Sequence, residues 1–68
     1  MKNTIRVQRA ILDITQEALA KRVNVSRQTI NTIEAGKYVP STLLALKLAE
    51  VFNKTVEEIF SLEESDWK

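Results

Sequence analysis

A chain of 68 residues, 44% hydrophobic, with a net charge of +1 and neither Cys nor His, has few options. It holds one domain at most around a modest core, it forms no disulfide or thiolate metal site, and a zinc site would have to rest on carboxylates alone. Apolar runs of only a few residues leave no membrane span and no charged-then-apolar leader is present, so the expectation is a cytoplasmic protein with no cofactor, no metal and no evident small-molecule ligand.

One Gly and one Pro in the whole chain argue against a fold built from many tight β-turns, and the apolar spacing is helical. Thr4 is placed to cap a first helix over roughly 5–12. Thr15 precedes "QEALAKRV", where Ala18, Leu19 and Val23 share a face, giving a second helix near 16–23 with Glu17 favourably in its first turn. Asn24 tolerates the left-handed conformation that ends helices, and Ser26 then caps a third helix near 27–34, stopped by Gly36. Past Pro40, Ser41 caps a fourth helix, "TLLALKLAEVF", so rich in Leu that it belongs at the centre of the core or near a dimer contact. Asn53 and Lys54 break it. Thr55 and Glu58 form a capping box for a short fifth helix, "VEEIF", and an acidic tail, "SLEESDWK", follows.

Only about three residues, Asn24 to Ser26, join the second and third helices. So short a link forces a steep crossing, the geometry that lets a second helix protrude into the DNA major groove. On the third helix Val25, Ile30 and Ile33 take one side, and Arg27, Gln28, Asn31 and Thr32 take the other. Those four suit base reading: Gln and Asn offer a donor beside an acceptor, as adenine requires. Arg offers two donors for guanine, and Thr a hydroxyl and a methyl for thymine. Gln and Asn on an exposed helix are uninformative by themselves; the short turn before them gives them meaning. Residues 1–37 carry seven basic and three acidic side chains, and residues 38–68 three basic and six acidic, balances of +4 and −3. A basic half suits a polyanion partner, and in so small a chain it is equally consistent with chance.

The stretch "TQEALAKRVNVSRQTINTIEAGKYVPS" closely resembles the helix-turn-helix core of the phage Cro/cI-like repressors, the xenobiotic-response-element family, a likeness that spans about residues 4–60. In length and tail it looks most like the small stand-alone repressors of the cytolysin repressor type. The resemblance implies an all-α, compact five-helix bundle of the lambda-repressor-like DNA-binding type. A short β-ribbon would pair the chain ends near Lys2–Thr4 and Ser61–Glu63, and residues 1–68 would form one helix-turn-helix domain. It implies that Gln16 binds a phosphate and braces the recognition helix, and that Gln28 reads a base. Arg27, Asn31 and Thr32 then fall at variable specificity positions. Thr15, Ser26, Lys37 and Tyr38 fall among the DNA-backbone contacts. Arg9 and Glu34 match an ion pair tying the first helix to the end of the third, although Arg9 also suits an ordinary phosphate contact. A homodimer contact is implied for the loop before the fourth helix together with the fifth, here Val39, Pro40, Val56, Ile59 and Phe60. Val39, apolar in a loop, and Val56, opening a very short helix, favour that role, whereas Ile59 and Phe60 also suit closure of the core.

The chain departs from the pattern at Asn24, where Gly is usual, at Gln8, often apolar, and at Val7, Ile11 and Leu12, often polar. Either the first helix is buried on a broader face, or Val7 and Ile11 receive Leu62 or Trp67 from the tail. The expected function is a sequence-specific regulator of transcription, a repressor occupying a palindromic double-stranded operator as a homodimer. The alternative is a protein-interaction module such as an antitoxin with secondary DNA binding, which the roughly eight residues after the fifth helix do little to support. An enzyme is not expected, since without His, Cys or a Gly-rich loop the usual acid–base and nucleophile sets are missing.

Overall fold

The first N–H groups of a helix have no partner within it, and where side chains supply one decides where these helices start. The computed structural model describes residues 1–68. It runs β1 (Lys2–Asn3), α1 (Ile5–Leu12), α2 (Gln16–Val23), α3 (Arg27–Glu34), α4 (Thr42–Phe52), α5 (Val56–Ile59), β2 (Phe60–Ser61) and a 3₁₀ turn over Glu64–Trp67. Four helices open on a hydroxyl. Thr15 accepts from the Ala18 N–H at 3.0 Å, Ser26 from Thr29 at 3.1 Å, Ser41 from Leu44 at 3.2 Å and Thr55 from Glu58 at 3.2 Å. The Glu58 carboxylate accepts in return from the Thr55 N–H at 2.9 Å, completing the capping box.

α1 is the exception. Thr4 makes no side-chain cap; its hydroxyl turns to the Glu58 carbonyl at 3.3 Å, and the Asn3 Oδ1 one residue earlier accepts from the Ile5 N–H at 3.2 Å. The expectation that Thr4 caps this helix is therefore corrected. The Thr4 N–H is committed to the Ile59 carbonyl at 2.8 Å, and Thr4 sits at φ −114° and ψ 24°, away from the extended backbone that the four capping hydroxyls share. At the helix ends Asp13, Asn24 and Asn53 adopt the left-handed conformation, with φ of 55°, 59° and 53°. Short polar side chains tolerate this region better than others do.

α3 packs on α2, and α4 lies against α1, α2 and α5. The core is wholly apolar: Ile5 from α1, Leu19 and Val23 from α2, Ile30 and Ile33 from α3, Leu44, Leu48 and Phe52 from α4, with Ile59 and Phe60 from the end of the chain. Leu48 is completely enclosed, worth about 1.5–3 kcal/mol for its burial alone. α4 is thus central, though Leu43 and Leu46 on its outer side remain exposed. No helix is long and apolar enough to cross a membrane.

β1 and β2 pair antiparallel, Lys2 with Ser61 and Asn3 with Phe60. The ribbon at the chain ends is present, shifted slightly toward the core. Phe60 leaves α5 and becomes extended because Asn3 pairs with it, so the fifth helix is one residue shorter than "VEEIF". The same pairing carries the following residues toward Met1 and away from α1. Val7 and Ile11 are therefore not covered by the tail; they stay more than half exposed, as do Leu62 and Trp67. The tail instead offers its acids to the Met1 ammonium, Glu63 at 2.9 Å and Asp66 at 3.2 Å.

Asn53 is exposed and closes α4 in the left-handed conformation, with no packing to lose. Asn53→Ala should cost about 1 kcal/mol in urea denaturation, whereas Asn53→Gly should stay within a few tenths of wild type. Equal behaviour of the two variants would show that φ at this position is not what constrains the helix end.

Candidate nucleic-acid interface

α3 buries Ile30 and Ile33 and half-buries Thr29 and Thr32, which leaves Arg27, Gln28 and Asn31 on its outer side. None of these three side chains makes a hydrogen bond within the protein, although each carries strong donors and two carry acceptors as well. Thr32 differs. Its hydroxyl donates back to its own helix, to the Gln28 and Thr29 carbonyls at 3.0 Å each, so its methyl is the freer part. The structure brings Arg27, Gln28 and Asn31 into one exposed stripe and sets Thr32 at its edge.

The end of α3 is anchored by Glu34, whose side chain is only 1% exposed. Arg9 grips it with two nitrogens, Nε to Oε2 at 2.6 Å and Nη2 to Oε1 at 3.2 Å, and turns Nη1 to the Ile14 carbonyl at 3.0 Å. The Gln16 Nε2 donates to the Glu34 Oε1 at 3.1 Å, and the largely exposed Arg6 approaches to 3.7 Å. One carboxylate therefore joins α1, the α1–α2 connection, α2 and α3. Burial by itself would push its pKa up. The bonds from Arg9 and Gln16 and the charges of Arg9 and Arg6 outweigh that, and hold it below its ordinary 4.5.

Around the stripe, Thr15 and Ser26 are exposed and have their oxygens engaged as helix caps, and Ser26 also shares a hydrogen bond with the Thr29 hydroxyl at 2.9 Å. Gln16 spends one amide proton on Glu34 and keeps the other. Lys37 and Tyr38 are exposed in the loop after Gly36, where φ of 75° takes the backbone out of the helix. Val39 is exposed, while Pro40 and Val56 are half-buried and line one apolar groove with Met1, Leu46 and an edge of Phe60. Ile59 lies inside the core and Phe60 nearly so, which removes Ile59 from the outer surface expected for a dimer contact. Sequence reasoning missed Asn3 and Arg6 at this site. An Asn two residues ahead of the first helical apolar position was the available signal for Asn3.

A family model described as helix-turn-helix matches residues 5–59. The chain is 50% identical over 66 residues to an uncharacterised HTH-type transcriptional regulator of Methanocaldococcus jannaschii, across 97% of this chain and 100% of that protein. It is 50% identical over 66 residues to another from Archaeoglobus fulgidus, across 97% and 93% respectively. To the uncharacterised HTH-type transcriptional regulator YgzD of Bacillus subtilis it is 47% identical over 66 residues, across 97% of this chain and 100% of that protein.

Breaking a buried pair strands a charge, so Arg9→Ala and Glu34→Ala should each cost about 3–5 kcal/mol, and the double variant far less than their sum. Additive losses in urea denaturation would mean that the two do not interact. Because the folded-state pKa of Glu34 is lowered, its contribution is complete above about pH 4.5 and is lost as pH falls through the lower folded value. A thermal-melt series in acid should show this step in the wild type and its absence in Glu34→Gln.

Proposed function

This chain belongs to the helix-turn-helix family and is a DNA-binding regulator of transcription, and we propose that it is a repressor that occupies a palindromic operator as a homodimer with α3 in the major groove. One observation carries the reading. α3 presents Arg27, Gln28 and Asn31 with unfilled donors and acceptors on its outer side, while its inner side and its end are held rigidly. Such a stripe offers guanine and adenine edges the pairings they accept, and Thr32 adds a methyl for thymine. The exposed hydroxyls of Thr15 and Ser26, the remaining amide proton of Gln16, Lys37 and Tyr38 take the DNA backbone, which sets register without reading sequence. Residues 1–68 then act as one DNA-binding domain, and the paired chain ends suit a stand-alone repressor of the cytolysin repressor type.

A single recognition helix covers too few base pairs to find one site among a genome of competitors. A two-fold pair would place two copies of α3 about 34 Å apart on one face of the duplex. The groove of Val39, Pro40, Leu46 and Val56 is the contact we assign to that pair, because it is apolar, open and built on the side of α4 and α5.

Gln28→Ala should cost about 1–3 kcal/mol on the preferred site and relax preference at one base position. Lys37→Ala should weaken all sequences alike and flatten the salt slope by about one unit. Quantitative binding to sites selected from a random duplex pool reads both, and unchanged preference in Gln28→Ala would remove α3 as the reader. Val56→Asp should yield a folded monomer that binds the selected site at least about tenfold more weakly, since half of a two-helix contact is lost. Sedimentation equilibrium at micromolar concentration decides; a wild type that stays monomeric even on operator DNA defeats the dimer.

A further inference from the structure

We propose that Asn3 is a positioning residue for base reading, one that sets the pose of α3 in the groove by holding the main chain of its last turn. The inference rests on the reading of α3 as the recognition helix. The Asn3 Nδ2 donates to the Ile33 carbonyl at 2.8 Å, and its Oδ1 accepts from the Ile5 N–H at 3.2 Å. One half-buried amide thus spans from the end of α3 to the start of α1. Its own backbone is held in register by pairing with Phe60, so the amide is a fixed strut and not a loose surface group.

The Ile33 carbonyl is one of the last four of α3, which lack partners within the helix. It accepts from the Gly36 N–H at 2.9 Å and from Asn3 as well. The Glu34 pair restrains the same turn through its side chain, whereas the Asn3 bond acts on the backbone itself. An amide offers, in one planar group, a donor for a carbonyl and an acceptor for an N–H. At eight residues α3 is about 12 Å long, so about 1 Å of slack at its end tilts it by roughly 5° about its start. Of the three unpaired side chains, Asn31 lies two residues from Ile33 and moves most; Arg27 and Gln28, in the first turn beside the Ser26 cap, move least. Hydrogen bonds to a base edge weaken steeply with such displacement and misalignment.

The experiment uses sites selected by the wild-type protein from a random duplex pool, with Asn31→Ala and Gln28→Ala locating the base positions that each side chain reads. Asn3→Asp keeps the shape and the acceptor for the Ile5 N–H, and puts an oxygen where the donor to Ile33 was. It should discriminate about tenfold less well at the Asn31-dependent position, keep most discrimination at the Gln28-dependent one, and lose nothing further when combined with Asn31→Ala. A loss of stability alone lowers the active fraction equally for every site and leaves these ratios untouched; Asn53→Ala, remote from α3, serves as that control. Unchanged ratios in a folded Asn3→Asp overturn the proposal. Should that variant fail to fold, Asn3→Ser takes its place, because its hydroxyl is too short to span both partners. The same loss of discrimination is then expected, and unchanged ratios overturn the proposal equally. If Gln28→Ala and Asn31→Ala themselves leave preference unaltered, it is the reading of α3 that fails.

Discussion

A carboxylate withdrawn from water costs several kcal/mol unless its lone pairs are filled by well-aligned donors. Glu34 meets that condition through a two-nitrogen grip from Arg9 and an amide proton from Gln16, with Arg6 adding charge nearby. The rest of the arrangement depends on it. Because the donors come from α1 and α2, the end of α3 is held against both, and the same Arg9 also reaches the Ile14 carbonyl in the connection between them. An apolar pair of similar size would bury as well, but it would not specify direction. The fork of Arg9 donates to the carboxylate in one plane only, which makes the joint a register as well as an attachment.

Eight residues are too few for a helix to persist alone in water, so α3 exists because Ile30 and Ile33 are enclosed against its neighbours. This division of labour explains its composition. The inner side supplies the stability, the last turn supplies the orientation, and the outer side is left with no structural duty. Arg27, Gln28 and Asn31 can therefore stand unpaired in the folded chain. Their hydration is given up only when another polar surface replaces it, and a base edge in the major groove offers such a replacement. Thr32 marks the boundary of that freedom, since its hydroxyl already bonds to the helix that carries it.

Much of this was legible in the sequence. The starts of α2, α3, α4 and α5 follow from Thr15, Ser26, Ser41 and Thr55, each of which acts through atoms three residues away, and Gly36 and the two asparagines mark where helices end. The exposed stripe of α3 followed from periodicity alone. Legibility failed where the controlling partner is distant along the chain. Thr4 has the composition of a cap, yet Ile59 claims its N–H across more than fifty residues and Asn3 takes its place. Val7 and Ile11 look like a surface awaiting the tail, but the β1–β2 pairing directs the tail to Met1.

The sequence by itself thus determined the helices, their order, the short turn between α2 and α3 and the polar face of the latter, because capping, periodicity and loop length act over a few residues. It did not determine which apolar side chains are spent inside the chain. Ile59, Phe60, Val39 and Val56 are all apolar and each suited a dimer contact, and only packing encloses Ile59 completely and leaves Phe60 with one edge in the groove that Val39 and Val56 line. Nor did it reveal that a single amide at Asn3 links the start of α1 to the end of α3. Both are outcomes of three-dimensional closure: hydrophobicity is not directional, and a hydrogen bond between residues thirty apart has no local signature until the backbone has brought them together.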